Sequence, residues 1–466
     1  MEFTKQGLYD LMYQISKKIH EISPDTYMGL QYGIKGSWVE YGYNFILKAM
    51  EKGSGKTPKT RPGGSAYWAH NPNEFIYKAK QIEWSNFLLY DKNIEKRPEI
   101  ECLPNVVYGK SPQNICFETT IYLAVGSDAM SYAMIQERHD PLEYHERIFR
   151  LFSAHRPYWE RLVEINKKTV SGGFNIAYDK EGYLRKVDRS EKLFAWREGT
   201  FHSCDELWDT AAIPTCFNEN NDGVVLLHPE VAKGLTDDEI EKLLAKPVIT
   251  DGKAIKLITE RGFKLPVTCN EISAGREVMT DHIVNSHISG SGSWNFNYYV
   301  VPDAYKYEIV GDDVEVVSKY NVKGEEKGVA CAIFDTKKGG KWAIFGMYSW
   351  CGIMSFDKRN QFFSIGEYIS GKPISVKLET PIQAVVIPRE TEDGKVACVT
   401  VVNKTVGDTE ELEFTINNPV GEKFTFVMVR EGKVQEEALE YTKDGNAFKV
   451  KVKNIPGWGI GTIFID

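Results

Sequence analysis

No apolar run in the chain is long enough to cross a bilayer, so a membrane-spanning helix is not expected. The opening residues, MEFTKQGLYDLMYQISKKIHEI, space their apolar positions instead of joining them, which argues against a signal peptide. There is no basic stripe. Lys and Arg number 57 against 65 Asp and Glu, a net charge of −8, and nucleic-acid binding is disfavoured. No C-x-x-C pair and no histidine cluster with zinc spacing occurs, so no metal site is expected. The cysteines (Cys102, Cys116, Cys204, Cys216, Cys269, Cys331, Cys351 and Cys398) are widely separated and read as isolated thiols in a reducing compartment. Gly55-Lys56-Thr57 lacks the earlier glycine of a phosphate loop, because position 50 is Met50. No other glycine-rich turn would cradle a phosphate, and no cofactor is expected. These absences together predict a cytoplasmic protein.

What is present is a long chain of ordinary globular composition. Its 466 residues exceed one core, and hydrophobic (42%) and charged (26%) fractions are unremarkable. Aromatics at 12% suit a sugar-binding cleft but suit an aromatic core equally. Leu8, Leu11, Met12, Ile15, Ile19 and Ile22 fall on one face of a helix. Strands are expected near 27, 62, 98 and 130, alternating with helices, which implies a parallel sheet. Asn71-Pro72 and the box Asp140-Pro141-x-Glu143 are read as helix starts. The most informative stretch is Arg97 to Ile135. There a strand ends in Glu101, a helix opens at Ser111-Pro112 and stops at Gly126, and a second strand follows. Four repeats of this kind make half of a (β/α)8 barrel, expected over residues 1–170.

The texture changes after Val170. Residues 171–372 read as a doubly wound, flavodoxin-like α/β domain, with a β insertion between Val300 and Ala332. Residues 373–466 carry only short alternating strands and read as a β-sandwich. Asn403-Lys404-Thr405 is a glycosylation sequon by pattern alone.

A carboxylate at the C-terminal end of a parallel strand is where barrel enzymes keep catalytic groups, so Glu101 is the leading candidate. Tyr32, Trp68 and Tyr108, at strand ends, are candidate sugar platforms. Glu118, mid-helix, reads as a solvated or helix–helix residue. The order of domains resembles the β-galactosidases of glycoside hydrolase family forty-two, whose second domain is amidotransferase-like and mediates trimers. Glu101-Cys102-Leu103-Pro104 matches the spacing at that family's nucleophile, and Gly126-Ser127-Asp128-Ala129 stands where it has Gly-Ala-Asp-Gly. Val248 to Gly262 is similar to the amidotransferase-like strand and helix. The chain differs in three places. Met134-Ile135-Gln136 replaces an Arg-bearing aromatic motif. Glu143 and His145 are spaced by two where the family's galactose-binding pair is spaced by three. Gly109, beside Tyr108, replaces a stacking Trp.

The resemblance implies a retaining glycoside hydrolase, or part of one, with a carbohydrate substrate. Glu101 would be the nucleophile, and Tyr32, Trp68, Tyr108, Glu143 and His145 the candidate substrate contacts. Its acid/base residue would lie on a strand preceding Met1, so this polypeptide alone is expected to be inactive. The expected partner is a missing N-terminal half barrel or further copies of this chain, a trimer being the assembly the resemblance implies. The amidotransferase-like domain should not be an amidotransferase, since the turn after the Val248–Thr250 strand carries Asp251-Gly252 and no cysteine. The alternative is a carbohydrate-binding or assembly protein without catalysis. A weaker third reading is an α/β enzyme using the open domain's crevice, and it would need a phosphate-cradling turn.

Overall fold

The computed structural model describes residues 2–33, 37–63, 71–102, 109–134, 141–178, 206–218, 222–272, 277–289, 292–296, 304–346, 353 and 355–466. The N-terminal segment begins with α1 (Glu2–Ile22) and alternates β1 (Gly29–Tyr32), α2 (Ser37–Ser54), β2 (Lys59–Pro62) and α3 (Asn73–Phe87). Then come β3 (Glu95–Lys96), β4 (Glu99–Glu101), α4 (Pro112–Ala124), β5 (Ser131–Ala133) and α5 (Glu146–Asn166). β1, β2 and β3 pair in parallel in chain order, and β4 pairs in parallel with β5. The single strand expected near 98 is therefore split. Pro98 has no N–H to give the ladder, so the chain changes partners there, from β2 before it to β5 after it. The main chain bridges the break, since Arg97 N–H donates to Thr60 O (3.0 Å) and Ser131 N–H to Pro98 O (2.9 Å).

Local signals hold unevenly. α4 opens as its residues require: Ser111 Oγ accepts from Asn114 N–H and Pro112 sits in the first turn. α3 has no side-chain cap, and Asn71 instead donates to the Glu74 carboxylate. The expected box at 140–143 gives a 3₁₀ turn, Leu142–His145, before α5, and Asp140 lies outside the described residues. α1 packs on α2 through only part of its apolar stripe, with Met12 against Leu47 and Met50. Ser16 donates to Met50 O (2.7 Å), while Leu8, Leu11, Ile15 and Ile22 remain exposed.

The middle of the chain builds one sheet of eleven strands. β7 (Phe174–Ile176), β8 (Thr215–Cys216), β9 (Val225–Leu227), β10 (Val248–Asp251) and β17 (Lys341–Phe345) form its parallel part. The expected β insertion does not leave this sheet. β11 (Val267–Ile272), β12 (Met279–Ile283), β13 (Ser293–Phe296), β14 (Ala304–Ile309), β15 (Val314–Val322) and β16 (Glu325–Asp335) extend it antiparallel beyond β17. Its longer helices among the described residues are α6 (Pro229–Gly234), α7 (Asp237–Leu243), α8 (Gly252–Glu260) and α9 (Phe356–Ser370). α7 opens on a capping box between Thr236 and Glu239.

The C-terminal strands form two antiparallel sheets around one core that includes Leu412, Phe414, Phe426 and Ile463. The larger sheet also takes in β6 (Val170–Ser171), beside Arg389 and Glu390. Its central strands, 384–390 and 396–403, are buried at every residue and not only at alternate ones. The reason is that α4, α5 and the turn at Glu206–Thr210 cover the sheet's other face: Ile115, Ile121 and Trp208 share a core with Val385 and Val402, and Leu123 and Tyr158 share one with Phe464. The sequon has no free asparagine, since Asn403 is buried and its Nδ2 donates to the carbonyls of Gly407, Ile455 and Pro456.

Candidate active site around Glu101

Glu101 is the last residue of β4, opposite Ala133 of β5, and its side chain is half-buried. The next residue, Cys102, continues the ladder through its N–H to Ala133 O (3.2 Å). The strand end is clamped from the loop that follows. Lys110 Nζ donates to the main-chain oxygen of Glu101 (2.9 Å) and to Glu118 Oε2 (2.6 Å). Tyr122 Oη donates to the other Glu118 oxygen (2.8 Å). Both members of the ion pair are fully buried, and the ammonium also lies 5.4 Å from the Phe75 ring. Burial pushes the Glu118 carboxyl above the ordinary value, and Lys110 and Tyr122 draw it back in part. Burial likewise raises the Cys102 thiol, which leaves it unreactive near neutral pH.

Glu118 is thus neither solvated nor a simple helix–helix contact. It neutralises Lys110, and Lys110 fixes the backbone that carries Glu101. Truncating either partner would leave a buried charge alone. One signal for this was present. Residues 115–124 of α4 are buried all round, and a carboxylate in such a helix requires a partner. Nothing in the sequence identified Lys110 as that partner. A second pair lies one strand over, where Arg61 of β2 reaches the buried Glu99.

The other candidates are dispersed. Tyr32 is a core residue and not an open platform: it is 4% exposed, its hydroxyl meets Ser85 Oγ (2.7 Å), and its ring stacks on Tyr43 at 4.4 Å. Burial raises that phenol to about 12. Glu143 and His145 share the 3₁₀ turn, but Glu143 is exposed and His145 buried, so they do not present one surface. Trp68 and Tyr108 lie outside the described residues. Among the described residues, no three His, Cys, Asp or Glu side chains gather to hold a metal ion.

The strand-to-helix turn of the α/β sheet is closed to nucleophilic chemistry. Asp251 is buried and caps α8 by accepting from Ala254 N–H (2.9 Å). Cys269, from β11, is 3.2 Å from Gly252 O, and burial pushes its thiol up to about 12.

These elements give a fold of the glycoside-hydrolase kind, resembling part of the family forty-two type of β-galactosidase. The particular solved structures it is similar to include the β-galactosidase of Bacillus circulans sp. alkalophilus (TM-score 0.56, 12% identity), covering 97% of this chain and 67% of that one. The β-galactosidase of Rahnella sp. R3 gives 0.56 at 10% identity with the same coverage. An α-L-fucosidase, isoenzyme 2 of Paenibacillus thiaminolyticus, gives 0.57 at 11% identity, over 91% of this chain and 70% of that one. At these identities the likeness is one of fold. No protein-family model and no curated protein sequence matches the chain. No helix among the described residues is long and apolar enough to cross a membrane.

Proposed function

We propose that residues 1–170 are part of a (β/α)8 barrel and that Glu101 is the nucleophile of a retaining glycoside hydrolase acting on a carbohydrate. The observation that carries this is the clamped strand end: a half-buried carboxylate at the C-terminal end of a parallel strand, its backbone held by a buried ion pair. The fold likeness to glycosidases supports it. Two edges among the described residues point the same way. β1 pairs only with β2, and β5 only with β4, so further strands have places to join. Retaining chemistry needs a second carboxylate about 5–5.5 Å from the nucleophile. In this proposal it comes from the strands that close the barrel, whether from a separate half barrel or from another copy. The chain on its own then reacts slowly, and only with glycosides whose leaving group needs no acid. The eleven-stranded unit is assigned to assembly, as a homo-oligomer.

The test uses a 2-fluoro glycoside with a dinitrophenolate leaving group, which traps the glycosyl-enzyme without acid assistance. Peptide mapping should place one added sugar on Glu101, and Glu101→Gln should abolish the label. In a completed barrel, Glu101→Gln should lower turnover by several orders of magnitude. Labelling of another carboxylate sinks the assignment. So does efficient hydrolysis of an unactivated disaccharide by a monodisperse monomer, which would remove the need for a partner. A non-catalytic carbohydrate-binding role is the second reading. It is favoured by a cavity of about 600 Å³ whose lining does not include Glu101.

A further inference from the structure

That cavity lies between α4, α5 and the C-terminal sandwich. Its volume falls within the span of small-ligand sites, about 300–1,000 Å³. Arg147 and Arg150 of α5 line it, both exposed, and among the described residues neither has a carboxylate partner. Further along the same helix, by contrast, Arg156 pairs with Glu160 at 2.7 Å. His155 also lines the cavity. Its Nδ1–H donates to Leu151 O (2.8 Å), and burial lowers its pKa, so it is neutral at pH 7. The positive charge is therefore arginine's alone and does not titrate in the physiological range.

The opposite wall carries Trp458, half-buried and in the left-handed region at φ 55°. A bulky residue there is a backbone outlier that the surroundings must hold. Gly457 and Gly459 flank it, and a Cβ on either would meet carbonyl oxygens at 2.3 Å (Val406) and 2.7 Å (Pro456). The Trp458 N–H donates to Thr405 O at 3.2 Å. The turn thus holds Trp458 where its side chain packs against the core beneath and also lines the cavity. Gln113 and Glu431 add polar groups to the lining. A carboxylate in that position repels a bare anion but accepts from hydroxyl groups.

We propose that this groove binds a monosaccharide-sized anion, its carboxylate or phosphate taken by Arg147 and Arg150 and its sugar ring laid against Trp458. Paired guanidinium groups suit either oxyanion, and the apolar face of a sugar ring suits an indole. The site is separate from Glu101 and does not depend on glycosidase activity.

Calorimetric titration with D-glucuronate and D-glucose 6-phosphate tests it, with D-glucose as the neutral ring and inorganic phosphate as the bare anion. At least one acid sugar should bind about tenfold more tightly than both controls, and more weakly as salt rises. Which acid wins tells carboxylate from phosphate. Arg147→Gln with Arg150→Gln should abolish the binding while thermal unfolding is unchanged, since both side chains are exposed. Trp458→Leu should bring the sugar acid down to the level of inorganic phosphate. Should that variant unfold, the arginine pair decides alone. Glu101→Gln should bind as the parent does. Glucose or phosphate binding as tightly as the acids overturns the proposal. So does unchanged binding in the arginine variant, or failure of both acids to bind.

Discussion

The N-terminal segment and the C-terminal sandwich solve the same packing problem to different degrees. The sandwich closes on itself: its strands run about seven residues, and Phe414, Ile416, Val450 and Ile463 are wholly buried in one shared core. In the N-terminal segment the strands run two to four residues. Part of its core is borrowed, since Ile115 and Ile121 of α4 share one core with Val385 and Val402 of the sandwich. α1 leaves Leu11 at 56% and Ile22 at 74% exposed. Two polar pairs, Lys110–Glu118 and Arg61–Glu99, also tie the N-terminal strands. A hydrophobic core tolerates error locally, whereas a buried ion pair fails whenever one partner goes.

That contrast is breakable. The largest expected effect is at the ion pair. Glu118→Leu alone should cost about 3–5 kcal/mol in the unfolding of the N-terminal segment, because Lys110 is left buried and unpaired. Adding Lys110→Met should recover most of it. Chemical denaturation of both variants checks this, and equal losses would mean that the pair is ordinary packing. Phe414→Ala should cost a similar amount, about 3–5 kcal/mol, but through a cavity, with no rescue available by removing a charge.

A smaller effect is expected at Glu390, where the larger sheet meets the α/β unit. Burial raises its carboxyl above the ordinary value. The folded state then holds the proton more tightly than the unfolded chain. Its contribution to stability is present below the ordinary carboxylate value and is lost as pH rises through the raised one. Glu390→Gln should therefore flatten the fall in stability from acid towards neutral pH, read from unfolding midpoints across that window. A steeper fall would reverse the sign. The smallest effect belongs to the exposed stripe. Leu11→Ser with Ile15→Ser should change stability by no more than about 0.5 kcal/mol if nothing covers α1. A large loss, measured with the oligomeric mass in solution, would show that another copy or segment packs there.

Several single elements were legible because periodicity and turn residues are local. Alternating strands and helices to residue 170, Ser111-Pro112 at the start of α4, the Thr236–Glu239 box and the run of short strands after 373 each follow from side-chain sterics and nearby hydrogen bonds. The place of Glu101 at a strand end was legible for the same reason. Tertiary structure alone decided what each residue faces. Glu118 looked solvated in its helix, and only the folded chain sets the Lys110 ammonium against it. Tyr32 looked like a platform until Tyr43 stacked on it, and Asn403 looked modifiable until three carbonyls took its amide. The strand near 98 looked single, yet Pro98 hands it from one neighbour to another. Spacing along the chain fixes which groups a residue can present. Which neighbour meets them depends on how the chain folds, whether the partner is eight residues away, as Lys110 is from Glu118, or more than fifty, as Pro456 is from Asn403.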